Sequence, residues 1–174
     1  MTNHAYFDIC GAYSGRAGEA ILQINGDEIS VTDKKLIPNG ERRSVFETPY
    51  DFTTAKPVWS DINSDDELLQ FLGGYDTNYF IRGEGMRVAA VLFDEISGRR
   101  MTLSTNQPCM QLYTANTVGD DEPSFAGGHL QKVHCGICLE VQGAPDAVNR
   151  PEFPSVIISP GEEYHRCAVL DFNA

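Results

Sequence analysis

Hydrophobic and polar side chains alternate along residues 136–142, so Ile137, Leu139 and Val141 fall on one face of a strand and Cys138, Glu140 and Gln142 on the other. The first face reads as core. The second is a polar surface or a ligand-facing one, with a carboxylate held on a rigid element. Other short strand-like stretches recur along the chain, set off by turn chemistry. Residues 20–24 and 27–32 flank Asn25-Gly26, a strong hairpin signal. Residues 86–93 and 99–105 predict a second hairpin around Ile96-Ser97-Gly98, and 155–159 and 164–172 predict strands separated by Pro160-Gly161. One helix is predicted over residues 65–72, with Ser64 as its cap, Glu67 completing a capping box and Gly73-Gly74 stopping it. Many strands with one short helix predict an all-β fold, an antiparallel sandwich or barrel. Residues 38–61 and 119–128, rich in Pro, Gly and Asp, read as loops.

The 174 residues suit one domain with a real core. Thirteen Lys and Arg against 25 Asp and Glu give a net charge of −12. That field repels phosphate backbones and anionic lipid, which argues against nucleic acid and membrane surfaces as partners and leaves a neutral ligand unpenalised. No apolar run approaches the roughly 18 residues of a membrane helix, and no signal peptide is visible at the start. Five cysteines, an odd number without the spacing of a disulfide framework, fit a reducing cytoplasm.

Single residues are ambiguous. Cys135 and Cys138 have the spacing of a redox or zinc pair, but the segment is strand-like and there is one such pair, so neither role is expected. His4 lies among aromatics, where packing or surface roles are commoner than acid–base ones. Asp76 suits a turn, and Gln111 sits between apolar neighbours where burial demands partners. Arg42-Arg43 and Arg99-Arg100 are arginine doublets and suit solvated positions beside turns.

Taken in order, several blocks carry a family resemblance. They include Thr2-Asn3-His4-Ala5-Tyr6-Phe7-Asp8-Ile9, Leu36-Ile37-Pro38-Asn39-Gly40-Glu41, Thr48-Pro49-Tyr50-Asp51-Phe52 and Gly74-Tyr75-Asp76. Gln111-Leu112-Tyr113-Thr114-Ala115-Asn116, Gly136-Ile137-Cys138-Leu139-Glu140-Val141-Gln142 and Pro145-Asp146-Ala147-Val148-Asn149-Arg150-Pro151-Glu152-Phe153-Pro154 follow, before Ser159-Pro160-Gly161-Glu162 and the final strand. Over nearly its whole length the chain resembles the C-terminal half of the aldose 1-epimerases, or galactose mutarotases.

The resemblance implies part of a large antiparallel β-sandwich, with residues 1–174 as the C-terminal half of the domain and the N-terminal half absent. It implies interconversion of the α and β anomers of a free aldohexose, galactose or glucose, with no metal or other cofactor. By motif, His4 resembles the family's catalytic acid and Glu140 its catalytic base, while Asp76 and Gln111 resemble residues that bind sugar hydroxyls. The family's N-terminal half supplies an arginine and a second histidine that have no counterpart here, so a truncated chain is expected to be impaired alone. A missing N-terminal half or self-association is then the expected protein partner. The alternatives are a noncatalytic carbohydrate-binding relative and a hexose-6-phosphate 1-epimerase relative, the latter needing the arginine doublets near Glu140. Thr77 and Cys109 stand where the family often has His and Gly, which leaves the preferred sugar open.

Overall fold

Strand alternation sorts the side chains into two layers facing one core. The computed structural model describes residues 1–119 and 128–174. These form β1 (Ile21–Ile24), β2 (Glu28–Thr32), β3 (Pro38–Ser44), β4 (Lys56–Pro57), α1 (Glu67–Leu72), β5 (Asp76–Phe80), β6 (Arg87–Phe93), β7 (Arg100–Thr105), β8 (Cys109–Tyr113), β9 (Cys138–Gln142) and β10 (Ala168–Asn173). One sheet runs β10-β7-β6-β1-β4 and the other β3-β2-β5-β8-β9, with antiparallel pairing throughout. The all-β architecture with one short helix is therefore as expected. Leu22, Ile24, Leu92, Met101 and Leu103 fill the core from the first sheet. Ile29, Tyr79, Met110, Leu112, Leu139 and Val141 meet them from the second.

The hairpin expected at Asn25-Gly26 does not form. β1 and β2 lie in different sheets, and this dipeptide carries the chain from one layer to the other. A two-residue Asn-Gly hairpin needs positive φ at both residues, and neither residue has it. Asn25 is instead tied to distant backbone: its N–H donates to the Ala89 carbonyl, and its own carbonyl accepts from the Arg82 N–H. Gly26 is required for a different reason, since a Cβ there would lie 2.7 Å from the Phe80 carbonyl oxygen. The hairpin of β6 and β7 is formed, with Phe93 opposite Arg100.

Other boundaries differ in instructive ways. The expected strand at 155–159 has no ladder partner, and Val156, Ile157 and Ile158 are exposed; β-branched composition favours a strand but supplies no neighbour. The expected final strand over 164–172 is shorter, beginning at Ala168. The region 38–61, read as loop, contains β3 and β4, because Arg42 and Arg43 take ladder positions opposite Ser30 and Ile29. Of the predicted loop 119–128, residues 120–127 lie outside the described residues.

Helix α1 starts later than its sequence suggests. Asp66, not Ser64, is the cap: its carboxylate accepts from the Leu68 and Leu69 N–H groups, and Gly73 ends the helix in the left-handed region. Glu67 completes no capping box around Ser64 and pairs with Lys34 instead. Asp66 wins because its carboxylate also accepts from the Tyr50 hydroxyl at 2.8 Å and faces Arg43. Asp66→Ala should cost about 2–3 kcal/mol, combining a lost cap with an orphaned hydroxyl. Asp66→Asn should recover most of it, as judged by urea denaturation.

Candidate active site

The face of the second sheet turned away from the core carries most of the polar chemistry. Register sets it: Asn78 lies opposite Gln111, which lies opposite Glu140, while Asp76 lies opposite Tyr113, which lies opposite Cys138. Leu139 and Val141 point into the core between these residues, so Glu140 emerges on the opposite face from a strand whose back is fixed by packing. Polar side chains cross-link the strands. Gln111 Nε2 donates to Asp76 Oδ1 at 2.6 Å, Gln142 Nε2 donates to Gln111 Oε1 at 3.4 Å, and Asn78 Nδ2 donates to Ser30 Oγ at 2.9 Å.

His4 arrives from the N-terminal arm. Phe7 and Ile137 exchange a pair of backbone hydrogen bonds, each 2.9 Å, which lays the arm beside β9. Gly136 allows this approach, because a Cβ there would meet the Tyr6 Cβ at 3.0 Å. His4 Nε2 then stands 3.3 Å from Glu140 Oε1. Its ring stacks on Tyr6 at 5.3 Å and meets the edge of Tyr113 at 5.9 Å. The imidazole is half exposed and the carboxylate nearly buried.

Burial raises the Glu140 pKa above the ordinary glutamate value; His4 opposes the rise and the neighbouring Asp76 carboxylate adds to it. Burial likewise raises Asp76, against the Gln111 hydrogen bond and His4. A carboxylate moved toward neutral pH is a stronger proton acceptor that still ionises. Burial also lifts the Tyr6 phenol to about 12, which keeps it a neutral hydroxyl. The arrangement can take a proton at one oxygen of a bound molecule and deliver one at another.

All four site residues expected from sequence thus converge: His4 with Glu140, and Asp76 with Gln111. Sequence reading missed Tyr6, Tyr113, Asn78 and Ser30, although Asp76-x-Asn78 and Gln111-x-Tyr113 show the same period of two that marked 138–142. The arginine doublets do not converge. Arg42 and Arg43 lie on β3, with β2, β5 and β8 between them and Glu140, and Arg100 begins β7 in the other sheet. A cleft of about 420 Å³ opens where β2 parts from β5 beyond Ile29, but it touches this group only at its edge, through Asp76 and Ser30, and not at His4 or Glu140.

A two-sheet antiparallel sandwich with an imidazole–carboxylate pair and an amide–carboxylate pair on one sheet face defines a class of β-sandwich proteins. The chain belongs to the aldose 1-epimerase family, whose model matches residues 1–167. It is 36% identical over 175 residues to the galactose mutarotase of Bos taurus, covering 99% of this chain and 49% of that protein. The aldose 1-epimerase of Escherichia coli is 33% identical, over 100% of this chain and 50% of its own. Among solved structures, an aldose epimerase homologue from C. elegans superposes with a TM-score of 0.82 at 27% identity, over 99% of this chain and 50% of that one. The chain therefore spans about half the length of the curated relatives it matches.

Proposed function

We propose that this protein interconverts the α and β anomers of a free aldohexose, galactose or glucose, by acid–base opening of the sugar ring. The observation that carries the reading is His4 Nε2 lying 3.3 Å from Glu140 Oε1, beside the Asp76–Gln111 pair. Glu140 takes the proton of the anomeric hydroxyl while the imidazolium of His4 gives one to the ring oxygen, and the C1–O5 bond breaks. The aldehyde rotates about C1–C2. Reversed transfers then close the other anomer, returning the ring-oxygen proton to His4 and the Glu140 proton to the anomeric oxygen. Asp76 and Gln111 hold sugar hydroxyls during the rotation. Residues of this chain suffice for both transfers, so the reading calls for no metal, nucleotide or redox group.

The same reading treats residues 1–174 as the C-terminal half of the domain. The other half, or a second copy of the chain, walls the open side of the site. Exposed apolar groups on and near the outer strand β10, such as Val169 and Phe172, supply surface for such a neighbour. Five free cysteines suit a reducing cytoplasm. Among the described residues, no helix is long and apolar enough to cross a membrane. The phosphosugar alternative is disfavoured because Arg42 and Arg43 lie across the sheet from Glu140, with β2, β5 and β8 between, and Arg100 lies in the other sheet.

Polarimetry on freshly dissolved α-D-galactose and α-D-glucose tests the proposal. Acceleration above buffer that Glu140→Gln removes is the expected result, with the chain alone or after co-expression with its N-terminal counterpart. Sugar affinity without turnover in both preparations, unchanged in Glu140→Gln, would replace the enzyme with a noncatalytic sugar binder.

A further inference from the structure

Three chemically different donor atoms meet at this site: a ring nitrogen of His4, the thiol sulfur of Cys138 and a carboxylate oxygen of Glu140, all within 4.8 Å of one another. We propose that this triad is an inhibitory site for a divalent cation of the zinc class, which excludes the sugar by occupying the catalytic pair. The inhibitory role rests on reading His4 and Glu140 as acid and base; the cation site itself does not.

The donor set selects the ion. Nitrogen, sulfur and oxygen together suit zinc, whereas magnesium and calcium take oxygen ligands. Tetrahedral bonds of about 2.0–2.3 Å place donors roughly 3.3–3.7 Å apart. His4 Nε2 and Glu140 Oε1 already stand at 3.3 Å. Closing on the sulfur asks up to about 1 Å more, within reach of side-chain torsions in the three residues, of which the half-exposed imidazole is the freest. Cys138 is buried and sits on β9 two residues before Glu140, so strand geometry puts both on one face. Three protein ligands leave a fourth position for water, as at open zinc sites. The thiol gives its proton to solvent when the metal binds.

This site differs from the pairing that the Cys135–Cys138 spacing suggests. Cys135 lies outside the strand and outside the triad; the N-terminal arm, far away in sequence, brings the nitrogen ligand. Bound zinc would hold the Glu140 lone pair and the His4 nitrogen, the same atoms the proposed proton transfers require.

Equilibrium dialysis of the untagged chain against zinc, with cobalt(II) as an optical stand-in, tests the site without any assay of turnover. One cation per chain is expected, with a thiolate-to-cobalt charge-transfer band. Cys138→Ala should abolish the band and weaken binding at least about 10-fold, while Cys135→Ala keeps both. Should Cys138→Ala fail to fold, judged by circular dichroism, Glu140→Gln carries the affinity test and should weaken binding by a similar factor. Absence of the band in the wild type would overturn the site, as would its loss with Cys135→Ala and retention with Cys138→Ala. Metal-free protein that exchanges anomers yet takes no cobalt sinks the cation site alone. Cobalt binding through Cys138 without any anomer exchange keeps the cation site and removes its inhibitory meaning.

Discussion

Glu140→Gln is expected to lower catalysed anomer exchange by about 10²–10⁴, the usual contribution of a positioned general base, and to raise the melting temperature at neutral pH. The two effects have one cause. The folded protein holds the Glu140 proton more tightly than the unfolded chain does, because burial disfavours the carboxylate more than His4 favours it. A group with a raised folded pKa contributes stability below its unfolded value, about 4.3 for glutamate, and loses that contribution as pH rises through the folded value. At neutral pH the ionised side chain is therefore a cost, which glutamine removes. The advantage of the variant should shrink as pH falls and vanish in acid. Calorimetric scans across pH read it directly, and equal melting temperatures at every pH would sink the account of Glu140. The acid limb of kcat/KM should lie above the ordinary glutamate range for the same reason.

Leu112→Ala should have the largest effect on stability, about 2–5 kcal/mol, as for other buried leucines truncated in a core. Leu112 is fully buried in the middle of β8, flanked across the ladder by Thr77 and Leu139. Its own strand β8 is laddered on both sides, to β5 and β9, which limits how far the backbone can close on the space. Urea denaturation should show a lower midpoint with an unchanged slope. Gln111 is the adjacent residue on the opposite face, so a loosened β8 should also weaken sugar binding. A loss below about 1 kcal/mol would mean that the sheet collapses into the space.

The sequence made local alternation legible and left distant partnership hidden. Residues 136–142 declared their two faces because the pattern belongs to one strand, and the structure keeps both: Leu139 inward, Glu140 outward. The end of α1 at Gly73 was equally local. Its beginning was not, since Asp66 displaced Ser64 as cap through contacts with Tyr50 and Arg43, which lie far off in sequence. Asn25-Gly26 failed for the same reason, its groups being bonded to Ala89 and Arg82. At the candidate site, family motifs pointed to His4, Asp76, Gln111 and Glu140 one by one. The aromatic bracket of Tyr6 and Tyr113 and the Ser30–Asn78 link came only from pairing across strands.

The crossing at Asn25-Gly26 also bears on how the chain reaches this state. Consecutive strands β1 and β2 enter opposite layers, so neither layer is built from one continuous stretch. Ile21 must wait for Phe93, and Leu103 for Leu170, before their ladders close. Such non-local pairing puts folding in the slow regime of β-sandwiches, about milliseconds to seconds. Each layer also depends on the other for the arrival of its strands, which favours assembly in a single cooperative step and leaves the edges of β1 and β2 that face β6 and β5 unpaired until those strands emerge.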